Sequence, residues 1–317
     1  MSYRSLVLAT VIFVTLVSSV GVPLRASGPP VRFDGPPRYA GEIGELRRIA
    51  GASVDTTAEW LGLEGGGAPL RVILVSEGHR LAREAPGWIS GYALADRNTA
   101  VLFPGRVVRY PYDSLEELFL HEITHLLTHR AAGGSALPRW FREGVALHAA
   151  RGWTLSDRRH ALAAGLTGGP GNLEELESAF VSGRASSGRA YALAGFLVDE
   201  LIEDRGSEIV RRILSRVRRG AAFEEAFRDT SGEKLEAWAS GVWRRYRIWY
   251  RWVPFLTSGA TLWLLVTGLA VLAAVRRRHR DAEIKARWEE EERARTEIEA
   301  RLPGRGEDRE DREDWVN

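Results

Sequence analysis

The chain has no cysteine among its 317 residues. Disulfides, thiolate nucleophiles and cysteine-ligated zinc are therefore excluded, and any metal must be held by histidine and carboxylate. A charge excess is missing as well. Lys and Arg together number 44 and Asp and Glu 42, for a formal net charge of +2. That surplus is too small to argue for a nucleic-acid partner. The sequence carries no internal repeat. Hydrophobic residues make up 44% and charged residues 27%, an ordinary globular composition with room for a membrane contribution. The length admits one large domain or two small ones.

Two long apolar runs stand out against this background. Leu6 to Val22 follows Arg4 and reads, over residues 1–28, as a signal peptide or an uncleaved N-terminal anchor. Val253 to Val275 is free of charge, is preceded by Trp249, Tyr250 and Trp252, and is followed by Arg276, Arg277, Arg278, His279 and Arg280. Length, interfacial aromatics and the basic flank predict a transmembrane helix over 253–275. The bilayer would then be a partner, and the protein a single-pass protein of the cell membrane. The domain between the two runs would be extracytoplasmic and the charged tail, 276–317, cytoplasmic. That tail is dense in Arg and Glu and reads as a solvated helix with a disordered end, its own partner unknown.

Between the apolar runs, residues 29–39 contain Pro29-Pro30 and Pro36-Pro37 and read as a linker. A domain over 40–250 follows. Helical spacing occupies 40–63. Leu70 to Val75, Ile89 to Leu94 and Thr99 to Phe103 predict strands, the last two joined by Asp96-Arg97-Asn98. From about residue 115 onward the pattern is helical, with Gly206, Gly220 and Gly232 as punctuation. A small sheet followed by helices predicts an α+β fold.

The most constraining feature is His121-Glu122-Ile123-Thr124-His125. Imidazoles at i and i+4 lie one turn apart on one helical face, where both can chelate zinc, while the intervening glutamate reaches a metal-bound water as general base. The surroundings support a helix at this place. Ser114 and Glu117 have capping-box spacing, with Asp113 as an alternative cap. Leu115, Leu118, Phe119, Ile123, Leu126 and Leu127 recur at helical intervals, and Gly133-Gly134 stops the run. A largely apolar helix carrying two histidines and a glutamate must supply them with partners, because unpaired polar groups in a core are costly.

Catalytic zinc usually keeps three protein ligands and an open position. Glu143 is the candidate third ligand, an acid in a segment that is largely apolar beyond Arg139 and Arg142. Gly144 beside it would allow two helices to approach closely. His148 is the rival, but it lies five residues on, about 140° around a helix from Glu143, so the two are not expected to bind one metal.

His121 to His125, followed by Trp140-Phe141-Arg142-Glu143-Gly144-Val145-Ala146, resembles the gluzincin metallopeptidases, in particular the bacterial peptidase MA-like domains. The resemblance extends over about residues 40–247. It implies a thermolysin-like zincin core with His121, His125 and Glu143 as zinc ligands, Glu122 as catalytic base and Tyr191 as a candidate oxyanion donor. Together with the two apolar runs, it leads to the expectation of a membrane-anchored, zinc-dependent peptidase acting on a peptide or protein, and the strand at 99–103 is expected to offer a free edge to an extended chain. Two alternatives stand beside this: a catalytically degenerate sensor or scaffold, and a zinc hydrolase of a non-peptide amide. The intact Glu122 argues against the first, since structural zinc has no use for a base. The metzincins do not fit, because no histidine follows His125 at their spacing.

Overall fold

A computed structural model describes residues 28–107, 111–256 and 259–301. The expected signal peptide or anchor and the end of the charged tail lie outside these residues. The chain divides into two units, residues 1–250 and 251–317.

The first unit opens with a four-stranded sheet. Its strands are β1 (Val31–Asp34), β2 (Leu70–Leu74), β3 (Gly91–Leu94) and β4 (Thr99–Leu102), in the order β1-β2-β4-β3. β1, β2 and β4 are parallel. β3 runs antiparallel to β4, with Gly91 opposite Leu102 and Leu94 opposite Thr99. The three expected strand segments contain β2, β3 and β4. β1 lies in the stretch read as a linker. Four residues between prolines give too weak a pattern to announce a strand, and only the pairing with β2 makes it one.

The hairpin from β3 to β4 turns through Ala95–Arg97 and closes at Asn98, whose φ is 48°. Asparagine tolerates this left-handed conformation better than most residues. Its side-chain oxygen accepts from Arg130 Nε at 3.0 Å and Nη2 at 2.6 Å, which ties the hairpin to the motif helix. β4 is an interior strand, so the free edge expected at 99–103 is not there. The outer strand at that end of the sheet is β3.

The helices of this unit are α1 (Ala40–Trp60), α2 (Arg80–Glu84), α3 (Leu115–Ala131), α4 (Arg139–Arg151), α5 (Leu155–Leu166), α6 (Leu173–Ala179), α7 (Arg184–Arg205), α8 (Ile209–Arg218), α9 (Phe223–Ser231) and α10 (Leu235–Leu256), the last ending beyond residue 250. They overturn the expected α+β class, because the described chain is mostly helical with one small mixed sheet. The strand signals were real, but each strand is only four or five residues long. The helices after residue 115 supply most of the buried apolar surface.

The motif helix α3 packs on β3 and β4 with one side and on α4 with another, and α4 in turn packs on α7. Leu118, Phe119, Leu127, Phe141 and Leu197 are fully buried in this main core. A smaller cluster of Val75, Ala82, Val101 and Phe103 fills the opposite face of the sheet. Beside that cluster, Arg106 donates to Glu77 and to the carbonyls of Ala82, Pro86 and Ile89, and lies over the Phe103 ring. One guanidinium thus pins the loop leading into β3.

Gly144 carries the α4–α7 contact. A Cβ there would stand 2.4 Å from both the Ala194 carbonyl oxygen and Val198 Cγ2. The close approach inferred from this glycine exists, but its partner is α7.

In the second unit, α11 runs from Gly259 to Arg301. The expected transmembrane helix over 253–275 is not seen. No helix among the described residues is long and apolar enough to cross a membrane. Among the described residues, α11 begins at Gly259 and meets charge at Arg276. The uncharged part of α11 spans about 25 Å at 1.5 Å per residue, short of the ~30 Å hydrocarbon core.

Candidate metal centre

The site is built on two helices packed on each other, α3 and α4, the first of which lies against β3. Ser114 caps α3 by accepting from the Glu117 amide at 3.1 Å. Glu117 reaches back to the Asp113 amide at 2.9 Å, one residue before the cap itself. With the helix started there, His121 and Glu122 fall in its buried middle and His125, half-buried, one turn on from His121. Glu143 comes from the second turn of α4 and is also buried.

These side chains converge. His121 Nε2 lies 3.0 Å from His125 Nε2 and 3.3 Å from Glu143 Oε2. His125 Nε2 lies 3.2 Å from the same oxygen. Protons cannot satisfy this triangle fully. If both Nε2 atoms carry hydrogen they face each other, and if either lacks one, a buried lone pair faces another acceptor. One cation near the centre uses all three lone pairs at once. For tetrahedral zinc with bonds of about 2.0–2.1 Å, ligand atoms sit roughly 3.3–3.4 Å apart, close to the spacing found. The donor set and its geometry therefore fit zinc. A ligating histidine usually donates its other ring N–H to an outer partner. His121 Nδ1 is buried and has no hydrogen-bond partner among the described residues.

Burial governs the protonation of the site. It pulls His121 down to about 4. His125 is raised: burial opposes its charge, but the neighbouring Glu143 carboxylate outweighs it. Glu143 is held well below the usual carboxylate range, because the two imidazoles overcome its own burial. Glu122 is pushed up to about 8 by burial, with Glu143 adding to the rise and His125 opposing it. Its carboxylate reaches up to β3. A Cβ on Gly91 would come within 3.2 Å of Glu122 Oε1, so glycine there makes room for the base.

The cluster opens into a cleft of roughly 500 Å³. Trp88, Ile89 and Tyr92 lie on the β3 side, Arg139 and Arg142 on the α4 side, and Tyr191 on α7. The Tyr191 ring is 6.4 Å from the His121 ring and packs edge-on against Phe180. Burial raises its pKa far above the usual phenol value, so its hydroxyl remains a donor.

Two further residues frame the site without having been singled out from sequence. Tyr112 packs edge-on against His121, with ring centroids 4.9 Å apart. No sequence signal marks it. Arg139 Nε lies 3.4 Å from Glu143 Oε1, and its i,i+4 spacing from Glu143 on α4 could have revealed it.

His148 does not join the cluster. Its ring lies against Trp60 at 5.4 Å, and its Nδ1 is 3.9 Å from Asp199 Oδ1 on α7. Asp199 is pushed up to about 6, mainly by burial, with Glu203 and Glu200 adding to the rise. A raised carboxylate penalises the folded state above that pH, and the penalty disappears as pH falls toward 4. Asp199→Asn is therefore expected to raise the melting midpoint by about 2 °C near pH 7.5, a modest figure because solvent screens the group. It should change little near pH 4. Thermal unfolding followed by circular dichroism at the two pH values checks this.

No family model matches the chain, and no curated protein matches it.

Proposed function

We propose that this chain is a zinc-dependent peptidase. The observation that carries the reading is the triangle of His121, His125 and Glu143, with Glu122 buried beside it at the floor of an open cleft. Bound to these three residues, zinc supplies the Lewis acidity that polarises a carbonyl and makes water nucleophilic near neutral pH.

The chain's own residues do the rest. Glu122, ionised when a cation beside it offsets its burial, accepts the proton of the attacking water and passes it to the leaving amine. The Tyr191 hydroxyl, protonated at all working pH values, is the donor for negative charge developing on the carbonyl oxygen. Gly91 keeps the Glu122 carboxylate unobstructed under β3. An extended peptide pairs with the outer edge of β3 by main-chain hydrogen bonds, and Trp88 and Ile89 offer it apolar contacts. The intact Glu122 favours an enzyme over a degenerate sensor.

The test combines metal analysis of the purified full chain with cleavage of a peptide library. Wild type is expected to carry about one zinc per chain. Glu122→Gln should keep the zinc and lose between about 10² and 10⁴ of the cleavage rate, because a base and not a ligand is removed. Undiminished cleavage by Glu122→Gln, or by zinc-free wild type, would defeat the reading.

A further inference from the structure

We propose that Arg142 forms an anion subsite in the cleft and receives a carboxylate of the bound peptide. The inference rests on the peptidase reading for what occupies the cleft.

Residues 139, 142 and 143 share one face of α4, and all three line the cleft. The two arginines differ in what they face. Arg139 is committed: it contacts Glu143 at 3.4 Å, and its guanidinium lies 4.8 Å from the Phe180 ring centroid. Arg142 is exposed, and its guanidinium makes no ion pair and no hydrogen bond among the described residues. An exposed arginine is ordinarily just solvated. This one stands in the cleft with the charged site, and no acid of the cleft is left to neutralise it. The two acids there, Glu122 and Glu143, are both buried at the floor. A divalent cation held by His121, His125 and Glu143 would leave the cleft with a net positive charge. A substrate carboxylate at Arg142 corrects that imbalance. The planar guanidinium offers a two-pronged fork matching carboxylate geometry.

Trp88, Ile89 and Tyr92 across the cleft are apolar or aromatic. The substrate class that fits is therefore a peptide with an apolar or aromatic residue toward β3 and a carboxylate toward α4. That carboxylate has two sources, an acidic side chain or the C-terminus of the peptide.

The experiment uses the full zinc-loaded chain carrying Glu122→Gln, so that peptides bind without being cleaved. Three fluorescein-labelled peptides share one apolar sequence. The first is neutral and amidated, the second amidated with one added glutamate, and the third neutral with a free C-terminal carboxylate. Fluorescence polarisation measures their affinities. At least one carboxylate peptide is expected to bind about tenfold tighter than the neutral one, and which one does identifies the source. Adding Arg142→Gln should abolish the difference, while Arg142→Lys should keep part of it. Equal binding of all three, a preference that survives Arg142→Gln, or no binding at all would overturn the subsite. The parent reading is judged separately, by Glu122-dependent cleavage in wild type. Cleavage without a carboxylate preference removes only the subsite, and a preference without cleavage removes only the peptidase.

Discussion

Glu143→Ala is expected to strip zinc from the purified chain, while His148→Ala leaves it in place. Among the described residues, Glu143 is the carboxylate that touches both motif histidines, with its Oε2 at 3.3 and 3.2 Å from their Nε2 atoms. Removing it leaves two imidazoles. Loss of an outer partner alone typically weakens a site 10- to 100-fold, so loss of a direct ligand should cost more than about 100-fold in zinc affinity. His148 packs against Trp60 and faces Asp199, outside the cluster. Zinc titration in a competing chelator, run on both variants, reads the difference directly. A Glu143→Ala protein that binds zinc normally, or a His148→Ala protein that does not, would reassign the third ligand.

The second large effect is expected at Gly144. An alanine Cβ would lie 2.4 Å from a backbone carbonyl and 2.4 Å from Val198 Cγ2. The side chain can turn away, but the carbonyl can move only with α7. Gly144→Ala should therefore force α4 and α7 apart and cost about 3 kcal/mol or more, at or beyond the upper end of ordinary overpacking. It should also weaken zinc binding, because Glu143 is the preceding residue on α4. Gly51→Ala is the control. Gly51 also lies in a helix, with nothing within 4 Å of the added Cβ. Alanine there removes only the flexibility of glycine and should stabilise by about 0.5–1 kcal/mol. Chemical denaturation of the three proteins separates a packing clash from a propensity effect. Equal stabilities for Gly144→Ala and wild type would show that the two helices can part at no cost.

Much of the candidate site was legible without coordinates. The i,i+4 spacing of His121 and His125, the Ser114 cap and the apolar repeat around them are local features, and a helix is a local structure. Its residues therefore announced both the element and the face that would carry the ligands. Glu143 was legible for a different reason. An acid in an apolar helix demands a partner, and the motif supplied one.

What local pattern could not supply was everything that depends on distant pairing. β1 is a strand only because β2 lies beside it. The strand order decided that β3, not the strand at 99–103, is the outer one. The small sheet was visible strand by strand, yet the class of the fold came out mostly helical, because class depends on which elements enclose the core. The run over 253–275 met the compositional rule for a membrane span, yet no helix among the described residues is long and apolar enough to cross a membrane. Gly144 against α7 is a contact between segments far apart in the chain, and Tyr112 meets His121 only because the residues before α3 fold back onto that helix. The sequence by itself determined the chemistry of the candidate centre, because ligand type and helical spacing are properties of neighbouring residues. Only the tertiary structure decided which surfaces surround that centre, because an edge, a cleft wall or a close helix contact exists only between elements that folding brings together.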